Sequence, residues 1–271
     1  MINDGNSGVP KPATAARIYD YYLGGTHNFV ADRLAAKAMT EMFPYVPAMA
    51  RTGRAFMRRT VRHLTDLGLR QFLDIGSGIP TEGNVHEIAQ GAVPECRVVY
   101  VDLDPTAVAE SMELLEGNER AIAVRGDVCE PERILGHPQV NELLDFSRPI
   151  GLLLSAVLHF APDDTAYSAV RRFVAALAPG SHVVISHAVT DSEDDEGLRR
   201  LRIAQALYQK QTATPFMLRT RADVLGFFDG LELIDPGLVW LPSWRPEPED
   251  PTDFTDDPPQ CRGVGGIGRV M

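Results

Sequence analysis

The middle of the chain alternates short apolar runs with segments of helical length. Between residues 70 and 190 these runs are QFLDI, RVVYVDLD, AIAVRGDV, IGLLLSAVLHF and HVVISHAV. Continuous apolar runs are typical of parallel strands buried on both faces of a sheet, and the spacers are long enough for crossover helices. We therefore predict an α/β fold of βαβ units. Its helices are expected around residues 84–91, 105–116, 131–145 and 163–178.

Helical spacing dominates the first quarter of the chain. Residues 1–13 are rich in Gly, Asn and Pro, which predicts a flexible arm. Thr14 is placed to cap a first helix, which the pair Gly24–Gly25 ends. Asn28 is placed to cap a second helix. Its inward face is predicted from apolar residues at every fourth position, namely Val30, Leu34, Ala38 and Met42.

A third helix completes this N-terminal part. Pro47 suits its first turn and Gly68 its end. Five arginines are expected to form a mostly solvated face of this helix, namely Arg51, Arg54, Arg58, Arg59 and Arg62. We therefore divide the chain into the arm 1–13, a helical N-terminal cap over 14–68 and a main domain over 69–271.

The last third of the chain mixes helical and extended signals. A helix is expected over 197–210, behind the acidic run Asp191–Glu196. Thr220 and Asp223 form a capping box for a shorter helix. The segment LELIDPGLVWLP predicts a strand or a bent pair of strands, and 242–260 a loop. The closing CRGVGGIGRVM predicts a last strand, weakened by its glycines.

Charge and cysteine content exclude several classes of function. The 271 residues carry a formal net charge of −11, which disfavours binding to nucleic-acid phosphates or to an anionic membrane surface. Cys96, Cys129 and Cys261 are far apart without CxxC spacing, so neither a disulfide framework nor a metal site is expected. The polar N-terminus and the lack of a membrane-length apolar run predict a cytoplasmic protein.

The segment from Phe72 to Gly78, FLDIGSG, leads a strand directly into a glycine-bearing turn. Glycines let the backbone approach a ligand closely, and the N–H groups of such a turn can bind a carboxylate or phosphate. A P-loop is excluded because no Lys-Ser/Thr follows, and the third glycine of a dinucleotide fingerprint is missing. Asp74 would repel a pyrophosphate but can bind an amino-acid ammonium, such as that of S-adenosylmethionine (SAM).

Acidic residues also end the next two strands. Asp102 follows the second strand and is suited to accept hydrogen bonds from the two ribose hydroxyls of an adenosyl group. Asp104 lies beside it and can border the adenine or simply cap the helix that begins at Pro105. Asp127 follows the third strand and can accept from the adenine amino group. In open α/β sheets ligands bind at this carboxyl edge, so Asp74, Asp102 and Asp127, at the ends of three successive strands, are expected to lie together.

Several stretches resemble a bacterial family of SAM-dependent methyltransferases that was long catalogued as a domain of unknown function. The matching stretches are ARIYDYYLGGTHNFVADR, QFLDIGSGIPTEGNVHE, VVYVDLDP, LLLSAVLHF, LAPGSHVVISH and FFDGLELIDPG. The resemblance implies a Rossmann-like, mostly parallel seven-stranded sheet with an antiparallel last strand and helices on both faces, behind a helical N-terminal cap. One departure is Pro80, which stands where many methyltransferases have a third glycine.

The resemblance also implies which residues bind the cofactor. SAM contacts are expected at Asp74, Gly76, Gly78, Asp102 and Asp127. With their neighbours at the strand ends, the predicted cofactor site also includes Ser77, Leu103, Asp104, Val128 and Ser155.

Fewer residues are candidates for the acceptor side. His159, after the fourth strand, can act as a general base toward an O–H or N–H nucleophile, or be a packed structural histidine. His187 is a second candidate. His27 and Asn28 can close over the cofactor or serve only as loop and capping residues, and Arg54 can reach the SAM carboxylate or lie on a solvated face.

We therefore predict a SAM-dependent methyltransferase that uses in-line transfer to an unidentified acceptor. A small molecule is favoured over a nucleic acid because the chain is acidic. A SAM-binding sensor or scaffold without catalysis is one alternative. An NAD-dependent oxidoreductase is the other, and the missing third glycine and Asp74 disfavour it.

Overall fold

The computed structural model of the protein describes residues 12–80, 83–191, 194–212 and 215–271, so most of the predicted arm lies outside the described residues. The helices are α1 Ala15–Tyr22, α2 Val30–Met42, α3 Val46–Asp66, α4 Val85–Ala92, α5 Pro105–Leu114, α6 Pro131–Leu135, α7 Pro138–Leu143, α8 Asp163–Ala176, α9 Asp195–Gln211 and α10 Arg221–Gly226. The strands are β1 Gln71–Ile75, β2 Arg97–Asp102, β3 Ala121–Arg125, β4 Gly151–Ser155, β5 His182–Ala188, β6 Glu232–Leu233, β7 Val239–Trp240 and β8 Gly263–Arg269.

The strands form one mixed sheet in the order β3-β2-β1-β4-β5-β8-β6, with β7 also paired to β8. Strands β1 to β5 are parallel, and β8 runs antiparallel to β5, β6 and β7. The predicted α/β fold with an antiparallel last strand is therefore confirmed. The described strands number eight because LELIDPGLVWLP folds as a bent pair, and both of its short strands pair with β8.

The glycines of β8 allow a close approach by α3. A Cβ on Gly265 would lie 2.6 Å from Phe56 Cζ and 2.8 Å from Leu241 Cδ2. Phe56, Val61 and Leu64 of α3 are fully buried against this face of the sheet. This packing fixes α3 over the sheet and so positions Arg54, two residues before Phe56 on the same helix. The division into arm, cap and main domain stays a prediction.

The predicted inward face of α2 is wrong. Val30 and Leu34 are 63% and 64% exposed, whereas Asp32, Ala35 and Ala36 are buried. Asp32 turns inward because its carboxylate accepts a hydrogen bond from Arg17 Nε at 2.9 Å. The capping role predicted for Asn28 is also wrong, because Phe29 occupies the N-cap position.

Two further predictions need correction. The solvated arginine face does not include Arg59, which is 2% exposed and donates to the carbonyls of Trp244 and Leu241 at 2.8 and 2.6 Å. The helix expected over 131–145 is two short helices, because Pro138 starts a new one after Gly136. In the part of the chain that the structure describes, no helix has both the length and the apolarity that a membrane crossing needs.

Candidate functional site

The turn after β1 has the geometry that the glycine pattern predicts. Gly76 and Gly78 have φ values of +73° and +69°, which residues with a Cβ rarely adopt. Gly76 N–H donates to the Val101 carbonyl at 2.8 Å, which ties the turn to β2. A Cβ on Gly76 would lie 2.3 Å from Val157 Cγ2, whereas one on Gly78 would meet no heavy atom within 4 Å. Gly76 is therefore needed for packing, and the backbone at Gly78 borders open space.

The ends of β1 and β2 are joined through the Asp102 carboxylate. Its Oδ2 accepts from Gly78 N–H at 2.7 Å and its Oδ1 from Asp104 N–H at 2.8 Å. Burial raises the pKa of Asp102 to about 6, against the lowering effect of these backbone hydrogen bonds. The carboxylate therefore lies beside the glycine turn, as an adenosyl ribose site requires.

Asp74 lies at the end of β1 and is 7% exposed. Burial is the largest cause that raises its pKa to about 7, the charge of Arg54 lowers it, and the charge of Asp102 raises it. A buried carboxylate of this kind gains stability when a cation binds next to it. Asp74 therefore fits the ammonium group of an amino-acid ligand.

Arg54 is brought to the same place by α3. Arg54 Nη2 donates to Asn84 Oδ1 at 3.3 Å, and Asn84 caps the start of α4. The pocket at this point is lined by Arg54, Asp74, Ser77, Gly78, Asn84 and Tyr100, among others. Four of these six were predicted from the sequence. Asn84 was not, although the Asn84–Glu87 spacing predicts the capping box that the structure shows.

Asp104 caps α5, the second of the two roles considered for it. Its Oδ1 accepts from Thr106 N–H at 2.8 Å. Its Oδ2 accepts from Thr14 Oγ at 2.5 Å and from Arg17 Nη1 at 3.0 Å. Both oxygens are thus engaged within the protein. Its neighbour Leu103 is half exposed at the same sheet edge.

The end of β3 carries Asp127 and Val128. Asp127 Oδ1 accepts from Cys129 N–H at 2.8 Å, which closes a turn directly after the strand. Val128 is buried in the cluster that contains Val101 and Ile134. The pairing of β3 with β2 places this turn next to Asp102 along the carboxyl edge of the sheet.

The end of β4 carries Ser155 and, in a 3-10 turn at Leu158–Phe160, His159. Among the described residues, Ser155 Oγ and His159 Nδ1 are buried with no hydrogen-bond partner. Burial, together with the neighbouring His187 and Arg219, lowers the pKa of His159 well below its usual range. His159 is therefore a neutral imidazole whose buried Nδ1 has no partner among the described residues.

The two loop residues of the cap contact other groups. His27 Nε2 lies 3.1 Å from Glu110 Oε2 on α5. Asn28 Nδ2 donates to Asp20 Oδ2 at 2.8 Å and to the Gly25 carbonyl at 2.9 Å. These contacts hold the loop between α1 and α2 in place.

The sheet is doubly wound, with Asp74 directly before the glycine turn and Asp102 at the end of the next strand. This arrangement is typical of a SAM-binding α/β enzyme. The family model for S-adenosyl methyltransferases matches residues 8–271, so the chain belongs to that family. The enzyme is a SAM-dependent methyltransferase, and SAM is its cofactor.

Two solved structures are similar over nearly the whole chain. A candidate methyltransferase from Thermobifida fusca YX is 36% identical with a TM-score of 0.86, covering 96% of each chain. A DUF574 family protein from Streptomyces avermitilis MA-4680 is 37% identical with a TM-score of 0.87, covering 96% of this chain and 98% of its own. No curated protein matches this chain.

An O-methyltransferase family protein from Burkholderia thailandensis shares the fold. It is 14% identical with a TM-score of 0.53, and the alignment covers 97% of this chain and 65% of its own.

Proposed function

We propose that the enzyme transfers a methyl group in line from SAM to a small molecule, with the methionine end of the cofactor at Asp74 and its ribose at Asp102. One observation carries this proposal. Asp74 is buried with its pKa raised to about 7, directly before a turn whose backbone borders open space at Gly78. A ligand ammonium would offset the cost of burying this charge.

The remaining predicted contacts follow from position along the same edge. Ser77 and Gly78 line the pocket with their backbone, while their N–H groups donate to the Val101 carbonyl and to Asp102 Oδ2. Arg54 faces the same pocket with a cation suited to the carboxylate of SAM. Asp127 stands at the β3 end for the adenine amino group. Leu103 is half exposed and supplies apolar surface at the end of β2. Val128 and Ser155 are proposed to border the site at the ends of β3 and β4.

The acceptor is proposed to bind above β4, between the cap and α9. Tyr208 of α9 packs in one cluster with Ile18, Ala35 and Ala36 of the cap. The Tyr208, Phe160 and Phe216 rings lie 5.6 to 6.2 Å apart, and the Phe216 ring lies 5.4 Å from that of His159. These packed rings are proposed to form one wall of the acceptor site. Such an aromatic wall fits a small acceptor better than a nucleic acid, in keeping with the net charge of −11.

His159 is proposed to be the general base. The sulfonium of SAM supplies an already activated methyl group, so the protein mainly has to orient the acceptor and exclude water. A protonated O–H or N–H acceptor must also lose a proton, and the neutral imidazole of His159, at the end of β4, is the side chain proposed to take it. His27 and Asn28 are proposed to act indirectly, by holding the cap loop.

Incubation with methyl-labelled SAM and whole cell extract, fractionated afterwards into small molecules, nucleic acid and protein, tests this function. We expect label in a low-molecular-weight product, with H159A slowing transfer by about 10²–10⁴-fold at unchanged SAM affinity. H63A is the matched control, because His63 lies on α3 beside Trp244. SAM binding with no labelled product in any fraction would favour the sensor alternative, and label only in nucleic acid or protein would refute a small acceptor.

A further inference from the structure

Arg219 is buried between the ends of β4 and β5, and no sequence pattern singles it out. It is 2% exposed. Its Nε donates to Asp163 Oδ1 at 2.9 Å, and its Nη2 donates to the Ala161 carbonyl at 2.8 Å. Its Nη1 donates to the Leu158 carbonyl at 2.7 Å and lies 2.9 Å from His187 Nε2. One guanidinium therefore holds four separate groups in a fixed planar arrangement.

Three of these partners flank His159 along the chain. Leu158 precedes it, and Ala161 and Asp163 follow it into the first turn of α8. Because the guanidinium grips the backbone on both sides of His159, it fixes the 3-10 turn that carries this side chain. Met217 N–H adds a hydrogen bond to the His159 carbonyl at 2.7 Å.

Arg219 also determines which ring nitrogen of His187 carries the proton. An arginine has no acceptor, so His187 Nε2 must accept from it, and the ring proton lies on Nδ1, 2.5 Å from the Ala188 carbonyl. Burial is the largest cause that lowers the pKa of His187 to about 3, and the Arg219 charge adds to it, against the opposing effects of the Ala188 hydrogen bond and Asp223. His187 is therefore neutral.

The His159 ring lies perpendicular to the ring of this neutral His187. The two ring centroids are 5.1 Å apart and the planes lie at 88°. The charged or titratable groups that lower the pKa of His159 are His187 and Arg219, after burial itself. The Asp163 carboxylate is paired with Arg219 rather than with the imidazole.

We propose that Arg219 is a positioning residue for His159: it holds the 3-10 turn that aims the imidazole at the acceptor. The inference rests on the proposed function, in which His159 is the base. Arg219 itself touches neither cofactor nor acceptor and acts through His159, His187 and the 3-10 turn.

Histidine-labelled protein followed by NMR from acid to neutral pH tests this role in the full-length chain. R219Q removes the charge and keeps an amide donor, so we expect His159 to become protonated at a higher pH than in the wild type. R221Q is the matched control, because the Arg221 side chain reaches the Leu238 carbonyl and the Trp240 ring instead. Identical His159 titrations in R219Q and the wild type would overturn the proposal.

A second variant covers the case in which R219Q does not fold. R219K keeps the charge but lacks the planar fork, so we expect His159 to stay neutral while its ring resonances move. Unmoved ring resonances in R219K would also overturn the proposal. Failure of the wild type to bind SAM, or full methyl transfer by H159A, would instead refute the proposed function, so the two failures are distinguishable.

Discussion

Arg17 of α1 forms a buried ion pair with Asp104 at the end of β2, with Nη1 3.0 Å from Oδ2. The same guanidinium pairs through Nε with Asp32 of α2 at 2.9 Å. Thr14 donates to both carboxylates, through N–H to Asp32 and through Oγ to Asp104. The cap is therefore bound to Asp104, two residues after Asp102 and next to the proposed ribose site.

Replacing Arg17 should destabilise the whole protein. R17M leaves two buried carboxylates without their cation, so we expect the free energy of unfolding to fall by about 3–5 kcal/mol. Urea unfolding followed by circular dichroism measures the change. R133M is the control, because Arg133 forms only an exposed pair with Glu130 on α6, for which at most about 1 kcal/mol is expected. Equal effects of the two variants would refute the role given to Arg17.

Alanine should be tolerated much less well at Gly76 than at Gly78. Each substitution forces a Cβ into a positive-φ backbone, at about 1–3 kcal/mol. Only G76A also drives a Cβ into Val157 Cγ2, at 2.3 Å. Thermal unfolding of both variants should rank G76A as clearly the less stable.

A double variant separates the two causes at Gly76. V157A removes the atoms that clash, so G76A/V157A should recover part of the loss caused by G76A, while V157A alone destabilises the protein. Additive losses in G76A and V157A would show that the clash with Val157 does not matter.

Asp74 should make the cofactor-free protein less stable as the pH rises. Its pKa is about 7 in the folded protein, against 3.8 for an ordinary aspartate. The folded state therefore holds the proton more tightly than the unfolded state. The stability that Asp74 contributes through this proton is fully present below about pH 4 and is lost as the pH rises to about 7. D74N should abolish a loss on the order of 4 kcal/mol in urea unfolding across this range.

The neighbouring carboxylate provides a comparison for D74N. The pKa of Asp102 is raised to about 6, so its own loss of stability is complete near pH 6. D102N should remove that loss and leave the loss due to Asp74, which extends to about pH 7. A wild-type stability that rises between pH 4 and 7, with D74N unchanged from it, would show that the burial of Asp74 is not as described.

Cofactor binding should release a proton from Asp74. At pH 6 the free protein holds Asp74 mostly protonated, and an ammonium placed beside it favours the charged form. Calorimetry of SAM binding in two buffers with different ionisation enthalpies should therefore show proton release at pH 6, and little at pH 8. In D74N the release should be smaller at pH 6. No proton release by the wild type would place the ammonium away from Asp74.

The features that could be predicted are those with local signals. Continuous apolar runs identify the five parallel strands, and FLDIGSG identifies the turn before any contact is known. The acids that follow the strands are placed together by a general property of parallel sheets. These features required only short stretches of sequence, and the fold and the cofactor follow from them.

The features that could not be predicted depend on contacts distant in sequence. Arg17 meets Asp104 across 87 positions, and Arg219 meets Leu158 across 61. An arginine that is buried by pairing looks the same in sequence as a solvated one. For the same reason the pattern at Val30 and Leu34 gave the wrong face of α2, because the inward face carries Asp32, which pairs with Arg17.

The central claim is that Asp74, the glycine turn and Asp102 form a SAM site, and calorimetric titration of the purified protein with SAM and, separately, with NAD tests it most directly. We predict that SAM binds, that NAD does not, and that D102A weakens SAM binding by about 1–3 kcal/mol through the loss of hydrogen bonds to a charged group. Binding of NAD but not SAM, or an unchanged SAM affinity in D102A, would contradict the account.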